Sequence, residues 1–200
     1  MTKEYVGTEL LPIKSKPMTN EKINQIIKKS HEVAKSKGFW DKPNSSRVQV
    51  MLIISEIGEA VEAWRINNKA EVSPYTAEIL DRNKYTEVEK KIFEREIKGT
   101  VDEELADIFI RICDYLGFTN RNMGDSKSIE TYLYKDNFVE DMYQLTSVIV
   151  YCFDKDDILY PSLLIIINEI ASNYGIGLEK MIEYKTKYNM TRPRLHGKNF

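Results

Sequence analysis

Apolar residues recur every three or four positions along most of this chain, with no strong stretch of strict alternation. That period marks helices with one buried face. The first predicted helix opens at Thr19 or Asn20, either of which can cap it, and runs to Gly38. Ile23, Ile26, Ile27, Val33 and Ala34 fall mostly on one side of it. The loop FWDKPNSS follows, carrying Phe39 and Trp40, and then a second helix covering about Val48 to Ile66. From Asn67 to Gly99 the chain turns polar and charged. It holds a turn near Ser73-Pro74 and a short helix in TEVEKKIFEREIKG, where Thr86 and Glu89 have capping-box spacing. Thr100 and Glu103 repeat that spacing at the start of a third major helix, VDEELADIFIRICDYLGF. After a polar link over 119–136, further helices are predicted around Phe138–Phe153 and Ser162–Tyr174. A last helix, GLEKMIEYKTKYN, leads into the basic tail MTRPRLHGKNF. Residues 1–18 read as irregular. The most economical architecture is an all-α bundle.

Composition narrows this picture in a few places. With 9 Gly and 6 Pro in 200 residues, turns are too few for many short strands. A hydrophobic share of 42% supports a packed core, and a net charge of −2 gives no bulk attraction to nucleic acid or to an anionic membrane. Cys113 and Cys152, the only cysteines, both lie in apolar helical patterns, which predicts buried thiols and a reducing, cytoplasmic setting. No apolar run is long enough to span a bilayer.

The second helix raises a chemical question. Ile53, Ile54, Ile57, Ala60, Val61 and Trp64 form a broad apolar arc, yet Glu56, Glu59 and Glu62 stand three apart in the same stretch, SEIGEAVEAWR. Glu62 has Arg65 one turn on and reads as a surface residue, whereas Glu56 and Glu59 have no Lys or Arg at i+3 or i+4. On the third helix Val101, Leu105, Ile108, Phe109 and Ile112 make the apolar side, and Glu104, Asp107, Arg111 and Asp114 make the opposite stripe. Asp107 and Arg111 have the spacing of an ordinary helical ion pair, and Arg111 and Asp114 read equally well as surface residues or as supports of a site. Packed antiparallel, the two helices bring Glu56-x-x-Glu59 and Glu104-x-x-Asp107 to one point. Like charges so gathered raise one another's pKa, and a hard divalent ion relieves them. Oxygen-only ligands select Mg²⁺, Mn²⁺ or Ca²⁺ over zinc. A di-iron centre would need Glu-x-x-His, and neither His31 nor His196 follows a glutamate by three.

Four blocks occur in order: AKSKGFWD, SEIGEAVEAWR, DEELADIFIRICDY and EYKTKYNMTRPRLHGKNF. Together they resemble the MazG-like all-α nucleoside triphosphate pyrophosphohydrolases, a superfamily that includes the dimeric dUTPases. The family's E-x-x-E and E-x-x-D pairs match Glu56, Glu59, Glu104 and Asp107. The GFWD loop and the HGK-type tail are similar to those of a phage or bacterial branch. The resemblance implies a single antiparallel helical bundle with a charged insertion at about 67–99 and an extra helical segment at about 119–171, both departures from the family pattern. It implies Mg²⁺ (or Mn²⁺) held by the four acids and cleavage of a (d)NTP to (d)NMP and pyrophosphate. Glu56 or Glu59 would act as the base. Substrate contacts would come from Phe39 and Trp40 in the loop and from Lys185, Asn189, Arg192 and Lys198 near the end of the chain. A homodimer, no membrane partner and no nucleic-acid partner complete the expectation. Two alternatives stay open: hydrolysis of an alarmone such as (p)ppGpp, and a non-catalytic helical interaction module. No Walker-type phosphate loop is present, so phosphate binding falls to metal and side chains.

Overall fold

The computed structural model describes residues 18–82, 85–127, 133, 136–156 and 159–197. Among these residues the fold is all-helical: α1 (Asn20–Ser36), α2 (Ser46–Arg65), α3 (Pro74–Leu80), α4 (Glu87–Glu96), α5 (Val101–Phe118), α6 (Phe138–Asp156), α7 (Ser162–Asn173) and α8 (Leu178–Thr191). Short 3₁₀ turns cover Met123–Asp125 and Arg194–Gly197. No described helix is long and apolar enough to cross a membrane.

The centre of the molecule is α5, packed against α1, α2, α7 and α8. Its apolar side, Val101, Leu105, Ile108, Phe109 and Ile112, is wholly buried. Because helices surround it, burial extends to Asp102, Glu103 and Glu104 as well. That wrapping is what takes carboxylates out of water. α1 lies close against α5 at Gly117, where a Cβ would lie 2.5 Å from the Cβ of His31. Cys113 and Cys152 are free and buried.

Local signals explain the helix ends. Thr19, Thr86 and Thr100 cap α1, α4 and α5 through their hydroxyls, and Thr86 forms a reciprocal capping box with Glu89. At Thr100 the box is incomplete, because the Glu103 carboxylate accepts from Gly99 N, not from the cap residue. α1 ends in a Schellman motif: Gly38 sits at φ +82, and Phe39 N donates to Ala34 O at 3.2 Å. This turn aims the following loop back over the helix.

The segment 67–99 differs from its polar reading. It contains α3, which the sequence pattern had shown only as a turn: Ser73 caps it and Pro74 opens it. Leu80, Phe93 and Ile97 are fully buried, and Phe93 stacks on Tyr188 of α8 at 4.5 Å. The segment therefore completes the core beside α8. Trp64 is half-buried and stacks on Phe138 at 4.5 Å, tying α2 to α6. Glu62 and Arg65 form an exposed pair at 2.5 Å, as their spacing predicts.

Candidate metal centre

Glu56 and Glu59 project from α2, and Glu103, Glu104 and Asp107 from α5, into one cavity of about 370 Å³. Two ligand-sized groups of acids result. Glu56, Glu59 and Glu104 offer oxygens all within 4.8 Å of one another, and so do Glu103, Glu104 and Asp107. Glu104 belongs to both. Three of the four acids singled out in the sequence thus form one group, and Asp107 joins the adjoining one through Glu104.

Each acid has a different environment. Glu56 is buried and receives Arg111, whose Nε donates to its Oε1 at 2.6 Å while Nη2 lies at 2.5 Å. The ion pair of Arg111 therefore crosses between helices and does not run to Asp107 along α5. Burial raises the Glu56 pKa, and Arg111 pulls against it. Glu59 is exposed at the mouth. Lys185 reaches in from α8 and pairs with Glu103, and with Asp107 at 2.6 Å. Burial opposes its charge, but the two carboxylates more than compensate and keep the ammonium protonated.

Glu104 is the unbalanced member. It is 5% exposed, and its Oε2 has no hydrogen-bond partner. Burial, then the charges of Glu103, Asp107, Glu56 and Glu59, push its pKa up to about 9. A buried acceptor without a donor costs free energy, and a cation at that point removes the cost. The donor set, all carboxylate oxygen, fits a hard divalent ion.

The stripe Glu104, Asp107, Arg111, Asp114 faces the cavity along its whole length. Asp114 Oδ1 accepts from His31 Nδ1 at 2.9 Å and from Trp40 Nε1 at 2.8 Å. Burial holds its pKa up at about 6 against those two donors. Of the predicted substrate contacts, Phe39, Asn189 and Arg192 line the cavity. Asn189 Oδ1 is buried without a partner. Two others have partners within the chain. Trp40 is not in the lining: its ring stacks on Phe118 at 4.0 Å and its N–H is given to Asp114, so it anchors the loop. Lys185 lines the cavity, but its ammonium is committed to Glu103 and Asp107. Lys198 lies outside the described residues.

Glu103 and His196 were not among the predicted contacts. The Thr100-to-Glu103 spacing had an adequate local explanation as a cap, and only the approach of α8 shows its second role. His196 follows Leu195 in a left-handed turn, both at φ +51, and meets Phe39 edge to face at 5.0 Å. Burial, with Arg192, Lys185, Lys37 and Arg111 nearby, drives its pKa down to about 3, so the ring is neutral. Leu195 N donates to Lys37 O at 2.8 Å, and Arg194 meets Asp41 at 2.5 Å, so the tail is clasped to the loop after α1.

No family model matches the chain, and no curated protein or solved structure matches it either.

Proposed function

We propose that this chain is a divalent-metal-dependent nucleoside triphosphate pyrophosphohydrolase of the MazG-like all-α type, cleaving (d)NTP to (d)NMP and pyrophosphate. The observation that carries the reading is Glu104: a buried carboxylate, unpartnered at Oε2, placed between Glu56 and Glu59 on one side and Glu103 and Asp107 on the other. Glu56, Glu59, Glu104 and Asp107 would hold Mg²⁺ or Mn²⁺, with Glu103 beside them. Bound there, the ion supplies charge neutralisation for phosphate oxygens and acidifies a coordinated water.

The chain's own groups divide the remaining work. Glu59, the exposed acid of the set, would take a proton from an attacking water with the carboxylate oxygen that does not hold the ion. Arg111 and Lys185 fix Glu56, Glu103 and Asp107 in place, so that the acids do not reorganise when a substrate arrives. Arg192, and Lys98 at the exposed rim, offset the negative field that would otherwise repel a triphosphate.

Pyrophosphate release from a panel of NTPs, dNTPs and (p)ppGpp, with and without Mg²⁺, tests this reading. Turnover should require the metal and fall at least ~100-fold in Glu59→Gln. Undiminished turnover in that variant would sink the assignment of Glu59, and a folded protein that hydrolyses no nucleotide would favour an interaction module. The reading carries a homodimer with it. Val139, Tyr143 and Val150 form an exposed apolar line on α6 that supports this. A stable monomer in sedimentation at micromolar concentration contradicts it.

A further inference from the structure

Beyond the acids, the cavity continues along α5 into a different environment. Val33 and Ala34 of α1, Leu52 of α2, Ile110 of α5 and Phe39 of the loop give it apolar walls. At that end Asp114 lines it. Along the α5 axis the rise from Glu104 to Asp114 is about 15 Å at ~1.5 Å per residue. Ser30, Asn44, Gln49 and Arg111 also line the cavity, and apolar walls with a few placed polar groups are the usual form of a site for a flat heterocycle.

Asp114 is held in a particular way. His31 from α1 and Trp40 from the loop both donate to the same oxygen, Oδ1. Both donors are themselves fixed: the rings of His31 and Trp40 meet edge to face at 5.4 Å, and Trp40 lies flat on Phe118. The carboxylate cannot turn without losing both hydrogen bonds. Among the described residues, nothing donates to Oδ2. The structure thus presents a pinned carboxylate whose second oxygen, when the group is ionised, is an acceptor.

We propose that Asp114 is a specificity-determining residue that reads the base of the substrate, selecting one whose outer edge carries an exocyclic amine. This rests on the pyrophosphohydrolase reading above. A sugar hydroxyl lies only a few bonds from the α-phosphate, whereas the base edge is the far end of the nucleotide, so a group remote from the acids meets the base. Cytosine presents a 4-amino donor where uracil and thymine present a carbonyl acceptor, and adenine presents a 6-amino donor. A carbonyl set against Oδ2 would leave two acceptors facing each other in a desolvated slot, and sites built around one hydrogen bond reject the mismatched analogue strongly.

The substitution Asp114→Asn inverts the signal while keeping the support. The asparagine carbonyl can go on accepting from His31 and Trp40, and its amide N–H₂ then replaces Oδ2 as a donor into the slot. The experiment compares dCTP with dUTP, and dATP with dITP, in two ways: pyrophosphate release with Mg²⁺, and calorimetric binding of the unhydrolysable α,β-methylene analogues. The wild-type chain should favour the amino-bearing member of each pair by roughly tenfold or more. Asp114→Asn should abolish or reverse that order. Equal binding of both members by the wild-type chain overturns the inference, and this arm needs no variant to fold. So does a preference that Asp114→Asn leaves unmoved, or one that follows sugar hydroxyls and not the base. Ranked binding without turnover would keep the inference and refute the reaction. Turnover without ranking would do the opposite.

Discussion

Replacing Glu104 by Gln separates what the acid cluster does for stability from what it does for metal. In the metal-free protein, burial and four neighbouring carboxylates raise this group from an ordinary value of 4.5 to about 9. At pH 7 folding must therefore protonate it, at a cost of about 3 kcal/mol reckoned at ~1.4 kcal/mol per pH unit. The folded value is the higher one, so the cost is absent below pH 4.5, grows as pH rises and is complete near pH 9. Glutamine is neutral throughout and does not incur it. In urea denaturation with EDTA, Glu104→Gln should exceed the wild type by about 3 kcal/mol at pH 7 and by less than about 1 kcal/mol at pH 5. Mg²⁺ should close the gap from the other side. At a hundredfold excess over its Kd it stabilises the wild type by about 2.7 kcal/mol and should leave the variant nearly unmoved. Binding must also expel the Glu104 proton, so affinity should rise about tenfold per pH unit below pH 9. A variant no more stable than the wild type at pH 7 would refute the placement of this carboxylate, buried and unpaired, among the other acids. Equal stabilisation of both proteins by Mg²⁺ would refute its role as a ligand.

Two further substitutions probe the frame. Lys185→Met leaves Glu103 and Asp107 without their buried cation and should cost about 3–5 kcal/mol in chemical denaturation; loss below about 1 kcal/mol would mean the pair is solvated. Gly117→Ala sets a methyl against the Cβ of His31 and should lower stability by about 1–3 kcal/mol, with Ser at the same position no better; an unchanged denaturation midpoint would contradict the close contact of α1 with α5.

The two acid pairs were legible because each pair lies on one helix, where spacing determines direction. Glu56 and Glu59 stood out by lacking local partners, and the structure supplies Arg111 to Glu56 from α5. Relations between helices were not legible. Arg111 stands one turn from Asp107, which suggests a pair within α5, while Asp107 takes its cation from α8. Glu103 was masked by its capping position, and Lys185 read as a substrate contact near the end of the chain, whereas its ammonium meets Glu103 and Asp107. Trp40 illustrates a different limit. A large aromatic in a polar loop suits either a stacking platform or an anchor, and only the position of Phe118 decides between them. α3 was missed because seven residues give too little period, leaving the Ser73-Pro74 start as the single cue.

The ion pair of Lys185 with Glu103 and Asp107 also has a temporal side. A chain is made from its N-terminus, so α5 leaves the ribosome before α8 does. During that interval the acids of α5 can meet those of α2, but the lysine that neutralises two of them does not yet exist. Until then Arg111 is, among the described residues, the one cation of the site that α2 and α5 supply for themselves, through its pair with Glu56. The cation for Glu103 and Asp107 arrives with α8, together with Tyr188, the stacking partner of Phe93.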